Sequence, residues 1–266
     1  MNQAVRPRLH ARILHLITFA LLALLLILVG AWGLATWRDR DQTNRTTARF
    51  DPPVWAGQNV PGACSGGFYV RDVDTIMLTI VAHCAQPGTS LRDTTGRLIG
   101  TFGPRAELED CPAGRFCAPS DILPLELASD RIPWGHLNMV DLGAGGYRTI
   151  ADGTHPLSCG DITVGDAVEV DGREHYRTGR VLAITSYAYE SDTIFPCMIV
   201  ADIPTVIGDS GGAVLVDGRP AGVISRSLGS GLGFTPLAEG LENLGLTLCT
   251  TPDCDLARDE VTQPAE

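Results

Sequence analysis

The residues best suited to chemistry are a serine set between an aspartate and paired glycines, Gly208-Asp209-Ser210-Gly211-Gly212, and a small number of histidines. A serine hydroxyl is a poor nucleophile until a base takes its proton. That base in turn needs a carboxylate to hold its tautomer and to stabilise its protonated form. A nucleophile, a base and an acid must therefore be found together, and the elements that carry them must bring them within hydrogen-bond reach.

Gly208 to Gly212 also fits the G-x-S-x-G pattern of the nucleophile elbow in α/β-hydrolases, but two features exclude that reading. The elbow leads from its serine into a helix, whereas Ala213-Val214-Leu215-Val216 is β-prone and runs into an Asp217-Gly218 turn. The elbow also places its histidine after the serine, and the last histidine here is His175. The base must come from upstream.

Four histidines follow the apolar N-terminal segment: 83, 136, 155 and 175. His136 in "PWGHLN", His155 in "DGTHPL" and His175 on an expected hairpin sit in ordinary surface contexts. His83 closes the apolar run "TIMLTIVAHC", at the end of an expected buried strand, with Cys84 beside it.

Here the chain resembles a known family. "CSGGFYVRDVDTIMLTIVAHC", followed much later by "GDSGGAV", is similar to the chymotrypsin-like (trypsin-fold) serine peptidases, of a bacterial, membrane-anchored type. The resemblance spans roughly residues 61 to 248. It implies Ser210 as nucleophile, His83 as general base and acid, and an aspartate between them at the head of an apolar strand. "PSDILPLELAS" supplies Asp121, although Pro124 departs from the family's pattern; Asp110 and Asp130 are the alternatives, each beside a turn signal.

The same resemblance implies an oxyanion hole made by the amides of Gly208 and Ser210, where donors aimed at the developing charge are each worth on the order of 3 kcal/mol. It assigns Ser225 to the wall that pairs with substrate backbone, Pro204 to the floor of the primary pocket and Leu232 to its far wall. Trypsin-like members carry an aspartate where this chain has Pro204, and Asp202 lies two residues further back. Glutamate-cleaving members carry a histidine where this chain has Ile224. An uncharged floor and a bulky wall favour Ala, Val or Leu before the scissile bond. Cys64 pairs with Cys84 by the resemblance; Cys111 with Cys117, Cys159 with Cys197 and Cys249 with Cys254 are pairings by proximity. Two departures stand out. No Ile-Val-Gly-Gly-like start exists near residue 60 to neutralise Asp209, and Val170 occupies the position aligned with the internal arginine of bacterial members.

Short apolar runs divided by Gly, Pro, Asp and Asn predict an all-β fold of two antiparallel barrels. The single late helical pattern is "PLAEGLENLGL", residues 236 to 246, and the loop-rich stretch 141 to 160 marks the seam. The expected divisions are a cytoplasmic N-terminus (1 to 12), a transmembrane helix (13 to 37), a linker (38 to 60), a first barrel (61 to 150), a second barrel (151 to 249) and a tail (250 to 266). The run from Ile13 to Trp37 has no acidic or basic residue except His15 and is long enough to cross a bilayer at about 1.5 Å per residue. Gly33-Leu34-Ala35 offers the competing reading of a cleaved signal peptide and a secreted domain.

Arginines flank the apolar run on both sides, so charge gives no orientation. All eight cysteines follow it, which points the C-terminal part to an oxidising compartment. None forms a C-x-x-C, so no metal site is expected. The net charge of −11 and the absence of lysine argue against nucleic acid as a partner. The expected partner is a peptide or protein substrate, with the membrane reached through the N-terminal helix and no cofactor. A peptidase-like ectodomain that binds peptides without cleaving them is the alternative function.

Overall fold

A computed structural model describes residues 54–60, 64–172, 176–189, 193–229 and 231–255. The segment from Ile13 to Trp37, and with it the expected anchor and its competing signal peptide, lies outside these residues, as does His175. Among the described residues no helix is long and apolar enough to cross a membrane.

In chain order the strands are β1 (Asn59–Val60), β2 (Cys64–Ser65), β3 (Tyr69–Arg71), β4 (Ile76–Val81), β5 (Ser90–Arg92), β6 (Leu98–Phe102), β7 (Phe116–Cys117) and β8 (Ile122–Leu127). They continue as β9 (Met139–Asp141), β10 (Tyr147–Thr149), β11 (Ala167–Val170), β12 (Arg177–Tyr189), β13 (Thr193–Ala201), β14 (Ala213–Val216), β15 (Arg219–Leu228) and β16 (Gly231–Pro236). Among the described residues one α-helix, α1 (Leu237–Leu244), precedes the last strand, β17 (Thr247–Leu248).

Two large sheets result. The first has the order β17-β3-β4-β8-β6-β5 and the second β12-β11-β14-β15-β16-β13-β7, with β12 also paired to β13. The sequence explains why the central strands are continuous apolar runs rather than alternating ones. All six residues of β4 and all four of β14 are buried, because both faces of these strands are covered. The one polar residue in β4, Thr79, is fully buried and satisfied: its Oγ1 accepts the Phe68 amide at 2.8 Å. Asp217 and Gly218 both adopt positive φ (47° and 76°), the two-residue turn whose twist suits the β14–β15 hairpin.

The halves interlace more than a division at residue 150 implies. β17 pairs with β3, and Leu237 and Leu241 of α1 belong to the hydrophobic cluster of the first sheet. In the other direction β7 pairs in parallel with β13 of the second sheet. The C-terminal segment thus returns to the first sheet, where α1 buries Leu237 and Leu241. Disulfides join Cys64 to Cys84, Cys111 to Cys117, Cys159 to Cys197 and Cys249 to Cys254.

Candidate active site

His83 does not lie on the strand that leads to it. β4 stops at Val81, and Ala82–Cys84 forms a single 3-10 turn in which His83 is exposed. Asp121 immediately precedes β8, the neighbour of β4, and the register Val81↔Ile122 brings the two residues to the same end of the sheet. His83 Nδ1 lies 2.7 Å from Asp121 Oδ2. Ser225 Oγ donates to the same carboxylate oxygen at 2.6 Å. Asp121 is 3 % exposed, so this ionisable group is nearly removed from water and held by its two partners.

Asp121 also ties the two sheets together. Its amide donates to Thr235 Oγ1 at 3.0 Å, and the neighbouring Ser120 Oγ donates to the same atom at 3.0 Å. Thr235 and Ser225 come from β16 and β15 of the second sheet, and both are buried. The alternatives to Asp121 lie elsewhere. Asp130 pairs with Arg97 at 2.8 Å on the surface, and Asp110 is exposed in the 103–115 loop.

Ser210 is carried to the same end by three links. Its carbonyl accepts the Ser65 amide at 2.6 Å, and Ser65 Oγ donates to the Gly208 carbonyl at 2.9 Å. Ser65 follows Cys64, whose disulfide to Cys84 ties this segment to the His83 turn. The amide of Gly211 donates to the carbonyl of Ile224, next to Ser225, at 2.7 Å. Gly208 and Gly211 have φ of 101° and 88°, and a Cβ at Gly211 would sit 2.0 Å from the Ser65 carbonyl oxygen. Glycine is the one residue type that satisfies both demands.

The loop amides divide into two groups. Those of Asp209, Gly211 and Gly212 donate to backbone carbonyls. Among the described residues those of Gly208 and Ser210 have no backbone or side-chain acceptor, leaving two donors flanking the serine.

Asp209 is 1 % exposed and is not without a cation. Arg177 Nη2 donates to its Oδ2 at 2.7 Å, and the Val206 amide donates to the same oxygen at 2.8 Å. The other arm of the guanidinium, Nη1, donates to the Pro204 carbonyl at 2.6 Å. One side chain therefore fixes both ends of the 204–209 loop. The alignment that put Val170 at this position was one strand away: Val170 and Arg177 face each other across the β11–β12 pair.

The remaining expected residues are placed as follows. Pro204 is exposed, Ser225 is buried against Asp121, and Leu232 is fully buried in the core of the second sheet with Ala201, Ile203 and Phe234. Asp202 accepts the Arg180 amide and lines an open cavity of about 550 Å³ with Arg148, Glu169, Tyr176 and Arg180, so its carboxylate is engaged on the β11–β12 side. His136 and His155 are exposed and have no part in this cluster. Val206 and Ile207, 42 % and 87 % exposed, form an apolar rim directly before Gly208 that the sequence reading passed over. Among the described residues no group of His, Cys, Asp and Glu is arranged to hold a metal.

No family model and no curated protein matches the chain. Solved structures do. Chymotrypsin from Cellulomonas bogoriensis is 22 % identical with a TM-score of 0.56, the match covering 75 % of this chain and 100 % of that one. A glutamic acid-specific serine protease that uses a histidine triad in substrate binding is 22 % identical with a TM-score of 0.57, covering 73 % and 100 %. Thermobifida fusca protease A is 21 % identical with a TM-score of 0.56, covering 74 % and 98 %. The chain has the chymotrypsin-like fold of bacterial serine proteases.

Proposed function

We propose that the protein is a serine endopeptidase working through an acyl-enzyme, with Ser210 as nucleophile, His83 as general base and acid, and Asp121 as the orienting carboxylate. The observation that carries this reading is the 2.7 Å contact between His83 Nδ1 and Asp121 Oδ2. A carboxylate there fixes the proton on Nδ1 and leaves Nε2 to take the proton of Ser210. His83 then returns that proton to the leaving amine, and water repeats the cycle on the ester. The amides of Gly208 and Ser210 receive the developing oxyanion, and the Arg177–Asp209 pair holds their loop in shape without any cleaved N-terminus. The chemistry needs no cofactor. Purified protein should cleave peptides and release one equivalent of the leaving alcohol of an activated ester as a burst before steady turnover; binding without turnover would favour the non-cleaving ectodomain instead.

The primary pocket should prefer Ala, Val or Leu. Pro204 contributes no charge, the Asp202 carboxylate accepts the Arg180 backbone amide, and Leu232 is a fully buried apolar side chain. Each methylene in such a pocket is worth only about 1 to 3 kcal/mol, so the preference should be graded. A peptide-library profile dominated by Arg or Lys would contradict this assignment and return Asp202 to the pocket.

Four disulfides fit an oxidising compartment. Together with the apolar run from Ile13 to Trp37, they support a catalytic domain anchored on the outer side of a membrane. Protease added to intact cells should remove the domain and spare an N-terminal tag. Release of the domain into the medium with a start near Thr36 would mean a cleaved signal peptide.

A further inference from the structure

Beyond Ile224, strand β15 has an open edge beside Ser210. β14 pairs with it only as far as Val223, and among the described residues no strand covers Ser225 to Leu228 on that side. Its other side is held by β16, with Arg226 opposite Gly233 and Ser227 opposite Leu232. An extended peptide adding antiparallel to this edge sets the residue before the scissile bond (P1) opposite Ser225, P2 opposite Arg226 and P3 opposite Ser227. Directly opposed residues of an antiparallel pair point to the same face, and side chains alternate along each strand. P2 and P4 therefore share the face of Arg226, and P3 takes the other.

That face is aromatic and carries arginine. The Arg226 guanidinium lies 5.7 Å from the ring centre of Tyr187 and 5.6 Å from that of Phe195. Both rings belong to a small cluster with Ala118, Met198, Phe116 and Leu228, and Ala118 is three residues before Asp121. A second guanidinium, that of the exposed Arg105, lies 3.7 Å from the centre of the Phe116 ring. Among the described residues no carboxylate comes within ion-pair distance of Arg105. Two guanidiniums thus rest on one aromatic floor, in a chain whose net charge is −11. Aromatic faces hold a guanidinium flat while its donor edge stays directed at a carboxylate.

Resting on the peptidase reading, we propose that the cleft selects peptides carrying Asp or Glu at P2 or P4, recognised by Arg226, with Arg105 strengthening the field at the outer end. The aliphatic stem of Glu covers the apolar floor while its carboxylate meets the cation. The disfavoured substrates are those with Arg or Lys on the same face.

The test uses peptides that share a small apolar P1 and differ only in carrying Glu at P2, P3 or P4, or none. Glu at P2 or P4 should raise kcat/KM by about three- to fivefold, the scale of a partly exposed ion pair, and the gain should shrink with added salt. Glu at P3 should give no gain. Arg226→Lys should keep part of the preference, Arg226→Ala should lose it, and Arg226→Glu should turn it toward Arg and Lys. Equal rates for all peptides, a gain confined to P3, or a gain that survives Arg226→Ala would overturn the proposal. Affinities of the same peptides for the Ser210→Ala variant separate this claim from the one beneath it. The same ranking in binding, with no cleavage by the parent protein, would sink the peptidase reading and keep the subsite. Cleavage without ranking would do the reverse, and neither binding nor cleavage would overturn both.

Discussion

Ser210→Ala and His83→Ala are each expected to lower peptide hydrolysis by about 10⁶ while leaving the fold intact, since members of a triad act as one unit. Neither side chain is part of a hydrophobic core: Ser210 is half-buried and His83 lies in an exposed turn. Asp121→Asn should cost on the order of 10⁴ in turnover, because an amide holds the imidazole in the wrong tautomer. Asp130→Asn removes a surface pair with Arg97 and a longer contact, 4.0 Å, with Arg131, which keeps its pair with Asp93, and should be nearly silent. These comparisons are read as kcat/KM on one peptide, with circular dichroism as the check on folding. Near-normal activity of the Asp121 variant would remove that residue from the mechanism. The Ser225 hydroxyl shares Oδ2 of Asp121, so Ser225→Ala should act through the positioning of the carboxylate and cost far less than Asp121→Asn.

Arg177→Met should be the most damaging change outside the triad. It takes from the carboxylate of Asp209, 1 % exposed, the guanidinium that donates to it. Breaking one side of a buried pair costs about 3 to 5 kcal/mol. It also frees the Pro204 carbonyl, so the loop that points the Gly208 and Ser210 amides loses both of its arginine contacts. Activity should fall by about 10² or more, with a lower unfolding midpoint. The double variant Arg177→Met, Asp209→Asn should recover stability relative to the single one, because the buried negative charge that lost its guanidinium is gone. A single variant as stable and active as the parent would show that Asp209 is compensated some other way.

What could be read from the sequence depended on the range of the physics involved. The β14 and β4 runs are local signals, and "GDSGG" followed by a β-branched stretch and Asp217-Gly218 leaves little choice for the backbone. The candidates His83, Asp121 and Ser210 came from the resemblance, carried by "TIMLTIVAHC", "PSDILPLELAS" and "GDSGGAV". Pro124, the departure from the family's pattern, lies in β8 and pairs with Thr79 of β4 without breaking the strand. Its contacts with Ser225 and Thr235 are more than a hundred residues distant in sequence and carry no local trace. Arg177 was missed for a different reason. Alignment slides along one strand, whereas the requirement is a position in space, and the β11–β12 hairpin offers Val170 and Arg177 at nearly the same place. The return of β17 to the first sheet was likewise illegible, since two short residues such as Thr247–Leu248 have no periodicity to read.

The central claim is that Ser210 is an activated nucleophile. The most direct measurement is reaction of the purified protein with a fluorophosphonate, followed by mass mapping of the labelled peptide. A single adduct on Ser210, abolished by His83→Ala and by unfolding, is the predicted result. A folded protein that takes no label, or takes it on another residue, would contradict the account.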